Sequence, residues 1–189
     1  MKINLRLFLI VFVVCSFVFI SANKKNYASY APVGYTGAQT KTCTSCHSGT
    51  NNLNASGGSV VINNLPATYT PGTKYNFTVT IKHASANRYS WGFAVKAVAT
   101  SSTTTVAGTF STTNPNTAIA SNELGHSNAP TTGASNTYTF SNLSWTAPTN
   151  PTTAQQNITF YVVGNAANGI GDGGDFIYSA TQKIGRAHV

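Results

Sequence analysis

The sequence predicts an all-β fold: a single antiparallel β-sandwich of immunoglobulin-like type, preceded by an N-terminal loop segment. Three observations carry that expectation. Ser, Thr and Asn make up roughly a third of the 189 residues, while the helix formers Leu, Glu, Lys and Gln are scarce. Apolar and polar residues alternate in short runs, and no segment has helical periodicity. Pro and Gly punctuate the runs, at Pro66, Pro71-Gly72, Asn114-Pro115, Ala147-Pro148 and Asn150-Pro151. A chain of this length, 41% hydrophobic, suits one domain around one core.

The first element is an address. Lys2 and Arg6 precede an apolar run from Leu7 to Ile20, and Ser21-Ala22 supply small residues at a cleavage point. Residues 1–22 thus read as a secretory signal peptide, the run being short for a membrane span. Cys15 lies inside the apolar run, with more apolar residues after it, so lipidation there is not expected. Cleavage would remove the only Met and leave Cys43 and Cys46 as the cysteines of the mature chain.

Residues 23–57 form the loop segment and 58–183 the sandwich. Ser59 to Ile62 is a short strand. From Lys74 to Lys82, Tyr75, Phe77, Val79 and Ile81 point one way and Asn76, Thr78 and Thr80 the other. The same alternation recurs at Trp91, Phe93, Val95 and Ala97, at Tyr138 and Phe140, and at Ile158, Phe160 and Val162; Phe176 and Tyr178 open a last strand. Seven or eight strands are expected, with the alternating aromatics in the core. Ala99 to Thr105 and Ala129 to Asn136 read as loops. Residues 184–189, Ile-Gly-Arg-Ala-His-Val, can be encoded by a common sequencing adapter and are expected to be an artefact, with a natural C-terminus missing; His188 is therefore set aside.

Charge excludes several function classes. The acids are Glu123, Asp172 and Asp175, too few for paired-carboxylate chemistry. The net charge of +8 arises from scattered bases with no basic run, so nucleic acid is not an expected partner. Gly164 to Asp175 lacks the ligand spacing of a calcium loop and the Lys-Ser/Thr order of a phosphate loop. No nucleophilic triad is apparent, and the chain is not expected to be an enzyme.

One motif carries chemistry. Cys43-Thr44-Ser45-Cys46-His47 is a C-x-x-C-H sequence, in which two thiols can add to haem vinyl groups while the adjacent His offers an axial nitrogen. Export agrees with this, because bacterial haem attachment occurs outside the cytoplasm. A structural disulfide between Cys43 and Cys46 is the alternative; it would not require His47. Zinc would need further ligands. One covalent haem c, held by Cys43, Cys46 and His47, is the cofactor expected. The mature chain has no Met, so His83 and His126 remain as second axial ligands. His83 would share the inward face of its strand and pack there. His126, in Asn122-Glu123-Leu124-Gly125-His126-Ser127, would sit at a strand end or loop able to approach a cofactor.

The order of motifs resembles the bacterial reeler-like (reelin-domain-like) "choice-of-anchor" exported domains. The residues that carry the resemblance are Gly34-Tyr35-Thr36-Gly37-Ala38, the C-x-x-C-H run, Leu65 to Gly72, Trp91-Gly92-Phe93, Trp145-Thr146-Ala147-Pro148, Phe160 to Gly169 and Gly174-Asp175, spanning residues 34–183. The resemblance implies a reelin-like sandwich on an exported protein, often followed by a C-terminal anchor, the one expected link to a membrane. It also implies that a His ahead of the Trp-Thr-Ala-Pro motif, here His126, recurs. Two functions follow. One is a monohaem c-type module for electron transfer or redox sensing in the periplasm or at the cell surface, with a redox partner of unknown identity. The other is an extracellular adhesive or carbohydrate-binding sandwich in which the C-x-x-C pair is structural.

Overall fold

The computed structural model describes residues 30–47 and 52–187. The expected signal peptide and His188 lie outside them. Among the described residues, eleven strands form two stacked sheets. One sheet has the order β1-β3-β9-β5, with β1 at Gly58–Asn63, β3 at Lys74–His83, β9 at Thr137–Thr146 and β5 at Thr109–Thr112. The other runs β2-β11-β10-β4-β7-β6, with β2 at Thr68–Tyr69, β11 at Phe176–Arg186, β10 at Asn157–Ala167, β4 at Arg88–Ala99, β7 at Glu123–His126 and β6 at Thr117–Ala120. Strand β8, Thr131–Ser135, pairs with β4 beyond the end of β7. Every pairing is antiparallel except that of β11 with β2. The chain is thus an all-β sandwich, as its composition and alternation predict.

The alternating runs become β1, β3, β4, β9, β10 and β11, and their apolar faces meet between the sheets. Phe77, Val79, Ile81, Trp91, Phe93, Phe140, Trp145, Phe160 and Val162 are almost fully buried there. The rings interlock edge to face, as their quadrupoles favour. Trp145 meets Phe160 at 5.0 Å and Tyr69 at 5.9 Å, and its indole N–H donates to the Ala107 carbonyl at 2.9 Å.

The structure corrects two expectations, the loop at 129–136 and the number of strands. Ala129 to Asn136 is not a loop throughout, because β8 closes the end of β4. The Thr- and Gly-rich β8 has no buried residue, hence no apolar alternation to announce it. Strands β2, β5, β6 and β7 are only two to four residues long, too short to show a period. Strand β11 runs on to Arg186; Ile184 joins the core and Gly185 pairs with Asn157. The segment before the sandwich, expected as a loop, has no strand among its described residues and lies against the sheet, burying Ala31, Thr36, Ala38 and Thr42.

That packing explains why β4 is buried from Trp91 to Ala99, on both of its faces. The odd residues face the core; Gly92, Ala94 and Lys96 face outward and lie under the N-terminal segment. Gly125, paired with Ala94, leaves room for Ala31: a Cβ there would stand 2.8 Å from the Ala31 Cβ. Gly37 approaches Val163 on β10 in the same way.

Candidate functional site

The C-x-x-C-H residues form a single tight turn. Thr42 is extended, and its side chain accepts from the Thr44 amide, capping a 3₁₀ turn over Cys43–Ser45. The Cys46 and His47 amides both donate to the Cys43 carbonyl, at 3.1 and 2.9 Å. The turn brings Cys43, Cys46 and His47 together, and both thiols are free. Burial pushes the Cys43 thiol up to about 12, so it is a protonated thiol at neutral pH.

His47 is anchored from the far end of the chain. Its Nδ1 lies 2.7 Å from Asp175 Oδ2. Asp175 is nearly fully buried; its second oxygen accepts from the Asn168 amide at 3.0 Å, and Oδ2 also accepts from Asn165 Nδ2 at 3.3 Å. This carboxylate lies in the turn-rich connection before β11 and is a buried fastener there. Glu123 does the same work at the other end of the segment. Its Oε2 accepts from the Gly34 amide at 2.8 Å, and its Oε1 pairs with Lys96 Nζ at 3.0 Å. Both buried carboxylates thus tie the N-terminal segment to the outer face of the larger sheet. Composition could count these acids; nothing in it pairs them with partners 89 and 128 residues away.

His126 is the last residue of β7. Its Nδ1 is 3.1 Å from both the amide nitrogen and the carbonyl oxygen of Phe93, and its ring fills the space a side chain on Gly92 would take. Gly92 pairs with Asn165 across β4 and β10, and directly paired residues project to one face. Asn165 touches His47, so the two imidazoles occupy the same outer face, over neighbouring strands. His83 is elsewhere: it ends β3, buried, with its ring 3.7 Å from that of Phe176. Among the described residues, no group of three or more His, Cys, Asp or Glu side chains could hold a metal ion.

The chain is thus a two-sheet β-sandwich with an N-terminal strap clasped to one outer face. The Reeler domain family model matches residues 37–166, and the chain belongs to that family. Reeler domains are typically extracellular or secreted, in agreement with the expected export. Among solved structures, the human F-spondin reeler domain is 20% identical, with a TM-score of 0.48 over 74% of this chain and 95% of its own. The Reelin-N domain of F-spondin is also 20% identical, with a TM-score of 0.47 over 74% of this chain and 93% of its own. A cohesin module from a Clostridium perfringens family 33 glycoside hydrolase is 12% identical, with a TM-score of 0.41 over 69% and 96%. No curated protein matches the chain.

Proposed function

We propose that this chain is an exported Reeler-type module that works by binding, as an adhesive or structural unit at the cell surface, and not by catalysis. The observation that carries this reading is the employment of the two buried carboxylates. Glu123 and Asp175 hold the N-terminal strap, so neither is placed to move a proton to or from a substrate. The partner is a cell-surface component, a polysaccharide or a protein. The test is binding of the purified chain to arrays of polysaccharides and matrix proteins. Saturable binding unaffected by thiol alkylation supports the reading, and absence of binding to every class overturns it.

A second reading has its own observation. His47 presents Nδ1 to a buried carboxylate, the arrangement that orients a metal-ligating imidazole, and His126 shares its face of the sheet. The free thiols of Cys43 and Cys46 lie on the same turn as His47, so these residues fit a covalently attached haem c. Bound haem would supply one-electron chemistry; Cys43 and Cys46 would attach it, and His47 and His126 would offer nitrogens to its iron. A pyridine haemochrome assay on protein expressed with haem-attachment machinery decides between the readings. A covalent c-type spectrum establishes a haem module; its absence leaves the adhesive one.

A further inference from the structure

Buried polar atoms normally find partners, and a cluster without them is informative. Among the described residues, six buried side-chain atoms have no hydrogen-bond partner, and three of them belong to His83, Arg88 and Tyr178. All three residues are more than nine-tenths buried. They surround one ring: the His83 imidazole stands edge-on to Phe176 at 3.7 Å, and the Arg88 guanidinium lies 5.0 Å from its centroid. Tyr178, two residues further along the same face of β11, has its ring 6.3 Å from that of His83.

The three orphan atoms are of one kind. Nδ1 of His83 accepts from the Ser85 amide, which puts the ring proton on Nε2, the partnerless atom. Arg88 uses Nη1 on the Gly174 carbonyl at 2.9 Å, leaving Nε–H unsatisfied. The Tyr178 hydroxyl is the third. Here are three donors and a buried positive charge, and Arg88 makes no ion pair among the described residues. The nearby carboxylate, Asp175, is engaged with His47, Asn165 and Asn168. A buried cation and orphan donors each cost free energy unless something accepts from them. The chain beside the cluster lacks side chains: the Tyr178 phenol packs directly on Gly58, and a Cβ at Gly57 would stand 3.8 Å from His83 Cε1.

We propose that His83, Arg88 and Tyr178, packed beside Gly57 and Gly58, bind a small inorganic anion of halide size. The anion accepts from Nε of Arg88, Nε2 of His83 and the Tyr178 hydroxyl, and it neutralises the guanidinium inside the sandwich. The site is separate from the His47 strap and stands whether or not haem is bound.

Bromide is the probe. In crystals grown from sodium bromide, anomalous scattering should place a bromide within hydrogen-bond reach of Arg88 Nε. At pH 8 and constant ionic strength, the full chain should melt several degrees higher in sodium chloride than in sodium gluconate. Arg88→Met should lose that increment. Should that variant fail to fold, Tyr178→Phe, which keeps the ring and removes one donor, should shrink it. No bromide at the cluster, a water in its place, or equal melting in the two salts for the wild type each overturns the proposal.

Discussion

His47 Nδ1 and Asp175 Oδ2 are 2.7 Å apart although 128 residues separate them in the chain. The contact joins the C-x-x-C-H turn to the start of β11 and makes a chemically specific motif part of the tertiary structure. His47 is partly exposed while the Asp175 carboxylate is fully buried. Losing the pair therefore harms the acid more than the base.

Removing either partner should loosen the strap. His47→Ala leaves Asp175 buried with fewer donors and should cost about 1–3 kcal/mol, the usual penalty for a buried group left unsatisfied. Asp175→Ala should cost more, because it also frees the Asn168 amide and Asn165. Chemical denaturation measures the order, and hydrogen exchange at residues 43–47 should rise in both variants.

The sandwich should fold without its strap. Among the described residues, none before Val60 belongs to the central core, so deleting residues 23–57 should leave a cooperative β-type unfolding transition at lower stability. The loss arises at Glu123 and Asp175, which give up the Gly34 amide and the His47 ring for water. Circular dichroism during thermal melting checks this; a product without a transition would show that the strap is integral to the fold.

Two glycines should respond oppositely to alanine. Gly125→Ala drives a Cβ to 2.8 Å from Ala31 and 2.9 Å from the Phe93 carbonyl, and should cost about 1–3 kcal/mol through overpacking. Gly133→Ala meets nothing within 4 Å and should be neutral or slightly stabilising. Paired melting curves read the difference.

His83 should make the fold weaken in mild acid. Burial, reinforced by the Arg88 charge, lowers its folded-state value below the ordinary 6.5. The unfolded chain therefore takes up the proton first as pH falls. This contribution is complete above 6.5 and is lost progressively as pH drops from there toward the folded-state value. Unfolding free energies between pH 5 and 8 should show the decline, and His83→Gln should flatten it.

In the second functional reading, His126 has a spectroscopic signature. Protein that carries covalent haem should be low-spin, and His126→Ala should turn it high-spin or open it to carbon monoxide. A low-spin spectrum retained in His126→Ala but lost in His83→Ala would reverse the assignment of the axial ligand.

The long strands were legible because each turns a row of alternate apolar side chains to the core. Tyr75 to Ile81 and Ile158 to Val162 carry period-2 alternation, and turn residues bound them. The C-x-x-C-H turn was legible for a related reason: its chemistry lies in five adjacent residues whose spacing is covalent. His83 was placed correctly on the inward face of β3 by the same parity.

What the sequence alone determined, then, is whatever depends on near neighbours: the all-β class, the principal strands and the compact cysteine-histidine turn. Tertiary structure alone decided the rest. It chose Asp175 and Glu123 as fasteners of the strap, set His47 and His126 over adjacent strands, and gathered His83, Arg88 and Tyr178 around Phe176. The physical reason is the length scale of the forces. Side-chain alternation acts over two residues, whereas the pairing of a buried charge is settled by whichever partner the folded sheets deliver to it.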